Sequence, residues 1–170
     1  GGELSRGVLI ESRGMDVVLA RFPSPLGPLL AGATDAGIFR LEFAGRARRP
    51  GVTARNRHLD RLEQELAAYF SGRLRTFTVP LAYAGTPFQE RVWKGLLRIP
   101  YGETSSYQAL AAAAGSPGAQ RAVGRANHVN RIAILIPCHR VVRKGGAIGG
   151  YGGGLRRKRY LLDLERSRRG

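Results

Sequence analysis

Five aliphatic residues, Ile132-Ala133-Ile134-Leu135-Ile136, run directly into Pro137 and then into Cys138, the only cysteine of the chain. A short apolar run of this kind predicts a strand buried on both faces. Proline has no N–H and cannot continue a central ladder, so the strand is predicted to stop at Pro137. The bend that follows holds a thiol at the edge of the core, with His139 and Arg140 as its immediate neighbours. The thiolate is the reactive form, and a nearby His or Arg cation lowers the thiol pKa from its usual value of about 8.5. A free cysteine is by default a small buried hydrophobe, so what surrounds Cys138 has to decide.

The chain has 170 residues, 43% of them hydrophobic, enough for a core in one domain or two small ones. No stretch approaches the roughly 18 consecutive apolar residues of a membrane span. Gly1 to Gly14 lacks the apolar segment of a signal peptide and reads as a disordered leader or expression remnant, with Met15 as a candidate natural start. A single cysteine allows neither an internal disulfide nor a paired-cysteine zinc knuckle, which fits a reducing cytoplasm. The net charge of +16 favours a polyanionic partner. Arginine supplies nearly all of that charge, since Lys94, Lys144 and Lys158 are the only lysines.

The pattern predicts a small α/β module over residues 15–80 and a mainly helical module over residues 81–170. Met15 to Phe22, Leu29 to Thr34 and Ile38 to Phe43 are strand-like and are separated by turn chemistry at Pro23 to Pro28 and Asp35 to Gly37, an antiparallel meander. Gly45 to Asn56 is a basic, Pro- and Gly-containing loop with no assigned role. Leu59, Leu62, Leu66 and Tyr69/Phe70 recur at helical spacing and stop at Ser71-Gly72. Thr76 to Leu81 is a strand or an extended linker. No catalytic constellation lies in this half, and His58 is expected to be solvated at a polar helix start.

Thr86-Pro87-Phe88-Gln89 opens the second module as a capping box with proline at the first helical position, and a helix to about Arg98 carries Phe88, Val92 and Leu96 in one apolar row beside Trp93 and Leu97. Ser105-Ser106-Tyr107-Gln108 offers another capping box. Leu110, Ala111 and Ala114 then face inward, Gly115 closes that helix, and Ser116-Pro117 opens the next, whose buried stripe is Ala119, Ala122, Val123 and Ala126. The pair reads as a helix-turn-helix. Arg121 and Arg125 lie one turn apart on its outward face, with His128 beyond. Small residues, including Ala122 and Gly124, suit close approach to a narrow groove with little sequence preference better than base reading in the major groove. A merely solvated face remains the alternative. After the cysteine, Gly145 to Gly154 is a glycine-rich loop around Tyr151, whose ring could stack on a flat base. A helix from Leu155 to about Arg166 carries Glu165, which reads by itself as a surface carboxylate.

Pro137-Cys138-His139-Arg140-Val141-Val142 after Ile-Leu-Ile closely resembles the active-site signature of the O6-alkylguanine-DNA alkyltransferases, also called methylated-DNA–protein-cysteine methyltransferases. The resemblance extends in order through Ser24-Pro25-Leu26-Gly27-Pro28, Thr86-Pro87-Phe88-Gln89, Tyr101-Gly102, Ser106-Tyr107, Arg121-Ala122-Val123-Gly124, Gly150 to Leu155, Lys158 and Leu161-Leu162. It implies irreversible, cofactor-free transfer of an alkyl group from O6 of a flipped guanine in duplex DNA to Cys138, with O4-alkylthymine a second candidate substrate. His139 would deprotonate the thiol through a bound water, Glu165 would orient His139, and Asn130 would brace the site. Tyr107 would help rotate the base outward and Arg121 would fill its place in the stack, with Arg125, Ala122 and Gly124 on the DNA-facing helix. Tyr151 would cover the base, with the Gly152 N–H near O6 and the carbonyls of Cys138 and Val141 near the exocyclic amine. Lys158 completes the substrate-binding set.

Duplex DNA, approached through the minor groove, is the implied partner of a monomeric protein, with cooperativity on DNA left open. The chain lacks the N-terminal cysteines that build a zinc site in some family members, so no metal is expected. A non-catalytic lesion sensor with the same helix-turn-helix would replace the cysteine, and Cys138 argues against it. A cysteine hydrolase would need a peptide or ester pocket that the sequence does not show.

Overall fold

The structure, a computed structural model, describes residues 17–45 and 55–168. The expected leader and most of the basic 45–56 loop lie outside the described residues, as does Met15. The chain divides into two compact units between Thr86 and Pro87.

In the first unit, β1 (Val18–Phe22), β2 (Leu29–Thr34) and β3 (Gly37–Phe43) form an antiparallel sheet in the order β1-β2-β3. The edge strand β1 alternates, burying Val18, Ala20 and Phe22, whereas central β2 is buried at every position. Gly32 is required there, because a Cβ would lie 2.7 Å from the Phe39 ring. Helix α1 (Arg57–Phe70) buries Leu59, Leu62, Leu66 and Tyr69. Its cap, Asn56, accepts from the Leu59 N–H at 3.0 Å and donates to the Thr34 carbonyl at 3.1 Å, joining the helix start to the end of β2. His58 is buried, contrary to expectation, with Nε2 2.9 Å from the Asp35 carbonyl; that bond keeps its ring out of water. Residues 76–81 are an extended linker with one bridge, Leu81 to Ile38. The Ala82 N–H donates to the Ile38 carbonyl, so residues 81 and 82 are tied to the first unit and the division falls later than the expected 80/81 boundary.

The second unit begins with α2 (Pro87–Leu97), which buries Val92, Trp93 and Leu96 and leaves Leu97 exposed. Trp93 Nε1 donates to the Ala126 carbonyl at 3.0 Å and Arg91 Nε to the Ala114 carbonyl at 2.9 Å, fastening α2 to the next two helices. Those are α3 (Tyr107–Ala113) and α4 (Gln120–His128). The cap of α3 is Ser106, which accepts from the Ala109 N–H, one residue later than the capping box predicts. Ser116-Pro117 does not open α4: Gly115 and Gly118 both take positive φ and Ala119 N–H closes a turn on Ser116. Val123 and Ala126 are the buried residues of α4, with Ala119 and Ala122 half-buried. Two-residue strands β4 (Ser105–Ser106) and β5 (Val141–Val142) pair in parallel, and α5 (Leu155–Ser167) ends the unit. The architecture is thus a small antiparallel sheet with a helix, then a helical unit with a short parallel strand pair.

Candidate active site

The run from Ile132 to Ile136 is a tight turn rather than the predicted strand leading to the cysteine; the short strand, β5, follows the thiol instead. Asn130 explains the difference. Its Oδ1 accepts from the Ile132 N–H and its Nδ2 donates to the Ile136 carbonyl, both at 3.0 Å, while the Ile136 N–H closes back on the Ile132 carbonyl. One side chain thereby satisfies both ends of a segment too compact for a ladder. Ile134 sits inside it at φ 71° and 1% exposure, a left-handed conformation that a β-branched residue adopts only when packing dictates it. Cys138 to Arg140 then form one 3-10 turn, with the Cys138 N–H on the Ile136 carbonyl.

The Cys138 thiol accepts from Asn130 Nδ2 at 3.4 Å. Burial pushes its pKa up, and the Asn130 hydrogen bond and the charge of Lys158 oppose that only in part. The expected lowering by neighbouring cations is therefore corrected, because neither neighbour supplies one to the thiol. His139 is fully buried, and burial lowers its pKa against the pull of Glu165, so it is a neutral imidazole at neutral pH. Arg140 points away: Nε and Nη2 donate to the two Glu165 oxygens at 2.8 and 3.0 Å, and Nη1 donates to the Ile99 carbonyl at 2.7 Å.

Glu165 is 1% exposed, not a surface carboxylate. Its Oε2 also lies 2.9 Å from His139 Nε2; a carboxylate only accepts, so Nε2 carries the hydrogen and Nδ1 is the basic atom of the ring. That Nδ1 is buried and has no hydrogen-bond partner among the described residues. Burial alone would raise the Glu165 pKa, but the bonds and charges of His139 and Arg140 prevail and bring it down to about 2. Lys158, on the same face of α5, donates from Nζ to the Val141 and Gly150 carbonyls. Burial lowers its pKa to about 8, with Cys138 pulling the other way.

A cavity of about 530 Å³ opens onto the thiol, walled by Tyr107 from α3, Gly124 and Asn127 from α4, and Tyr151 and Gly152 from the glycine-rich loop. Burial raises the pKa of both Tyr107 and Tyr151, so both phenols stay protonated. Gly149 takes φ 69°, and a Cβ there would meet the Tyr107 hydroxyl at 3.3 Å, which is why the loop can run so close behind this wall.

Residues 17–83 match the family model for the ribonuclease-like domain of 6-O-methylguanine DNA methyltransferase, and residues 87–167 match the model for its DNA binding domain. The chain belongs to the 6-O-methylguanine DNA methyltransferase family. The methylated-DNA–protein-cysteine methyltransferase of Mycobacterium leprae is 44% identical over 161 residues, 93% of each chain. The crystal structure of the Mycobacterium tuberculosis O6-methylguanine methyltransferase superposes with a TM-score of 0.81 at 46% identity, covering 90% of this chain and 94% of that one. A structure of the Mycobacterium tuberculosis protein in complex with DNA gives 0.80 at 47% identity over 87% and 92% of the two chains.

Within this methyltransferase unit the residues marked by sequence fall into three groups. Cys138, His139, Glu165 and Asn130 are joined by hydrogen bonds to one another or to the shared 3-10 turn. Tyr107, Tyr151, Gly152 and Gly124 line the cavity, and Lys158 and Val141 meet behind it. Arg121 and Arg125 are exposed on α4 outside the cavity wall, with Ala122 half-buried. Sequence reasoning gave no cavity role to Gln120, Asn127, His128 or Arg143, all of which reach the cavity. The signal for the first three was available, since residues 120, 124, 127 and 128 share one helical stripe. Among the described residues no cluster of His, Cys, Asp or Glu could hold a metal ion, and no helix is long and apolar enough to cross a membrane.

Proposed function

We propose that this chain repairs duplex DNA by direct reversal, moving the alkyl group of O6-alkylguanine onto Cys138 once per molecule. The observation that carries this reading is a lone thiol at a cavity of about 530 Å³, backed by the His139–Glu165 pair; such volumes hold small ligands. O6 of guanine is hidden in a duplex, so the base is extruded into the cavity. Small residues Ala122 and Gly124 bring α4 into the minor groove, Arg121 fills the vacated stack, and Arg125 contacts phosphate. Tyr151 covers the base and the Gly152 N–H faces O6.

The thiol proton passes to His139 Nδ1 through one bridging water, and Glu165 holds the resulting imidazolium. Lys158 favours the thiolate, whose raised resting pKa makes this assistance necessary. Sγ attacks the alkyl carbon, the carbon–O6 bond breaks, and its electron pair enters the guanine ring. Tyr107, a protonated phenol, steadies that charge until the base recovers one proton. One thiol and one alkylguanine give one thioether and one guanine, so the step needs no cofactor. A thioether has no easy route back to a thiol, and no second cysteine exists to regenerate it. We assign the protein to the cytoplasm, acting as a monomer on DNA, with O4-alkylthymine as a secondary substrate.

The test is transfer of labelled methyl from O6-methylguanine DNA against protein amount, with peptide mapping. One label per chain on Cys138, absent in Cys138→Ser, is expected; several turnovers per chain, or label elsewhere, would falsify the proposal.

A further inference from the structure

Among the described residues, the wall of the cavity that opens onto Cys138 carries no carboxylate, and Arg143 is its one permanent cation. The Arg143 guanidinium is exposed and makes no hydrogen bond or ion pair to any of the described residues. We infer that Arg143 binds a phosphate of the lesion nucleotide, the one carried to the cavity mouth when the base is extruded. This rests on the functional reading above and deepens it, naming the backbone group that the site takes along with the base.

The pairing of β4 with β5 places the guanidinium where such a phosphate would pass. Ser106 faces Val142 in parallel register, so the next residue of each strand, Tyr107 and Arg143, leaves the pair beside the other. The two side chains meet again at Gly149. A Cβ there would lie 3.3 Å from the Tyr107 hydroxyl, 3.5 Å from Arg143 Cγ and 3.6 Å from Lys158 Nζ. A phenol, a guanidinium and an ammonium thus converge on one bare stretch of backbone. Burial raises the Tyr107 pKa and lowers that of Lys158, and the Arg143 charge pulls both down; an anion bound here would relieve the repulsion between Arg143 and Lys158. The main chain of Arg143 is held on both sides, its N–H donating to the Ala147 carbonyl at 2.8 Å and its carbonyl accepting from the Gly146 N–H at 2.9 Å. The guanidinium is therefore mounted on a closed turn. Arg121 and Arg125 lie outside the cavity wall on α4 and are placed for phosphates that stay in the duplex. A nucleotide rotated out of the stack moves its own phosphates with it, and a planar guanidinium can grip two oxygens of one phosphate.

The experiment measures single-turnover transfer from O6-methylguanine duplexes in which the phosphate immediately before or immediately after the lesion is a methylphosphonate, which removes the charge and nearly keeps the size. Below saturating protein, the wild-type rate should fall about tenfold or more for one of the two, the scale of a charge-assisted hydrogen bond. Arg143→Gln should lose a similar factor on the unmodified duplex and no more than about threefold further on that methylphosphonate, because the two changes remove one contact. Arg143→Lys keeps the charge without the fork, and should exceed Arg143→Gln by about threefold or more on the unmodified duplex but not on the methylphosphonate. Wild-type rates unaffected by either methylphosphonate would overturn the inference. So would full, additive losses in Arg143→Gln, or an Arg143→Lys rate no better than that of Arg143→Gln, since the side chain would then act on something other than that phosphate. No transfer to wild-type Cys138 from the unmodified duplex would overturn the functional reading and the inference with it.

Discussion

Replacing Glu165 with Gln tests whether one buried carboxylate holds the site together. Glu165 accepts from His139 at 2.9 Å and from two nitrogens of Arg140 at 2.8 and 3.0 Å, with 1% exposure. Its pKa falls to about 2 from the usual 4.5, and at about 1.4 kcal/mol per unit the difference is worth about 3 kcal/mol. A carboxyl with a depressed pKa contributes that stability in full above pH 4.5 and loses it as the pH falls through about 2. Removing one member of a buried ion pair costs a comparable 3–5 kcal/mol, roughly, because the Arg140 charge is left unpaired. Urea unfolding of wild type and Glu165→Gln at pH 7 should therefore differ by about 3 kcal/mol, and the difference should shrink by about half near pH 3. A difference below about 1 kcal/mol at pH 7, or one that is the same at both pH values, would refute the assignment of this carboxylate as the ionised centre of the cluster.

Arg121→Ala should slow repair of duplex lesions by about tenfold or more, the scale set by the few kcal/mol of unstacking a base, while its reaction with free O6-benzylguanine stays at the wild-type rate; unchanged duplex repair removes the stacking role. Reaction of resting protein with iodoacetamide should titrate with a midpoint above that of an ordinary exposed thiol, because burial raises the Cys138 pKa; a midpoint below it would show that a cation reaches the thiol after all. Asn130→Ala removes both latches of the apolar turn and the contact to Sγ, and should lower stability by about 2–3 kcal/mol; a loss under about 0.5 kcal/mol would mean that packing alone holds Ile134 in its left-handed conformation.

The meander was legible because Pro23 to Pro28 and Asp35 to Gly37 punctuate it, and α5 because Leu161 and Leu162 carry a helical period. That same period marks Glu165 as inward, three and four residues on, although its charge suggests the surface. The turn at Ile132 to Ile136 was not legible, since an unbroken apolar run reports burial and says nothing of conformation; the conformation is fixed by an asparagine two residues upstream. Adjacency in sequence also misled the electrostatics. His139 and Arg140 follow the thiol directly, but both turn to Glu165, leaving Lys158, twenty residues on, as the cation that favours the thiolate. His58 shows the same limit, for its partner is a carbonyl in the turn between β2 and β3.

The pairing of β4 with β5 sets where this chain can change length. Ser105 faces Val141 and Ser106 faces Val142 in parallel register, and Ser106 also caps α3 while the Val141 carbonyl takes the Lys158 ammonium. One residue inserted between Cys138 and Val141 would force a choice: slip the register and exchange the buried Val141 face for its neighbour's, or keep it and pull the thiol off the cavity. The exposed tip from Lys144 to Ala147, closed by hydrogen bonds with Arg143, has no such tie among the described residues. An inserted residue is thus better accommodated on the far side of Val142, and the distance from the α3 cap to the sulfur is gauged by two residue pairs.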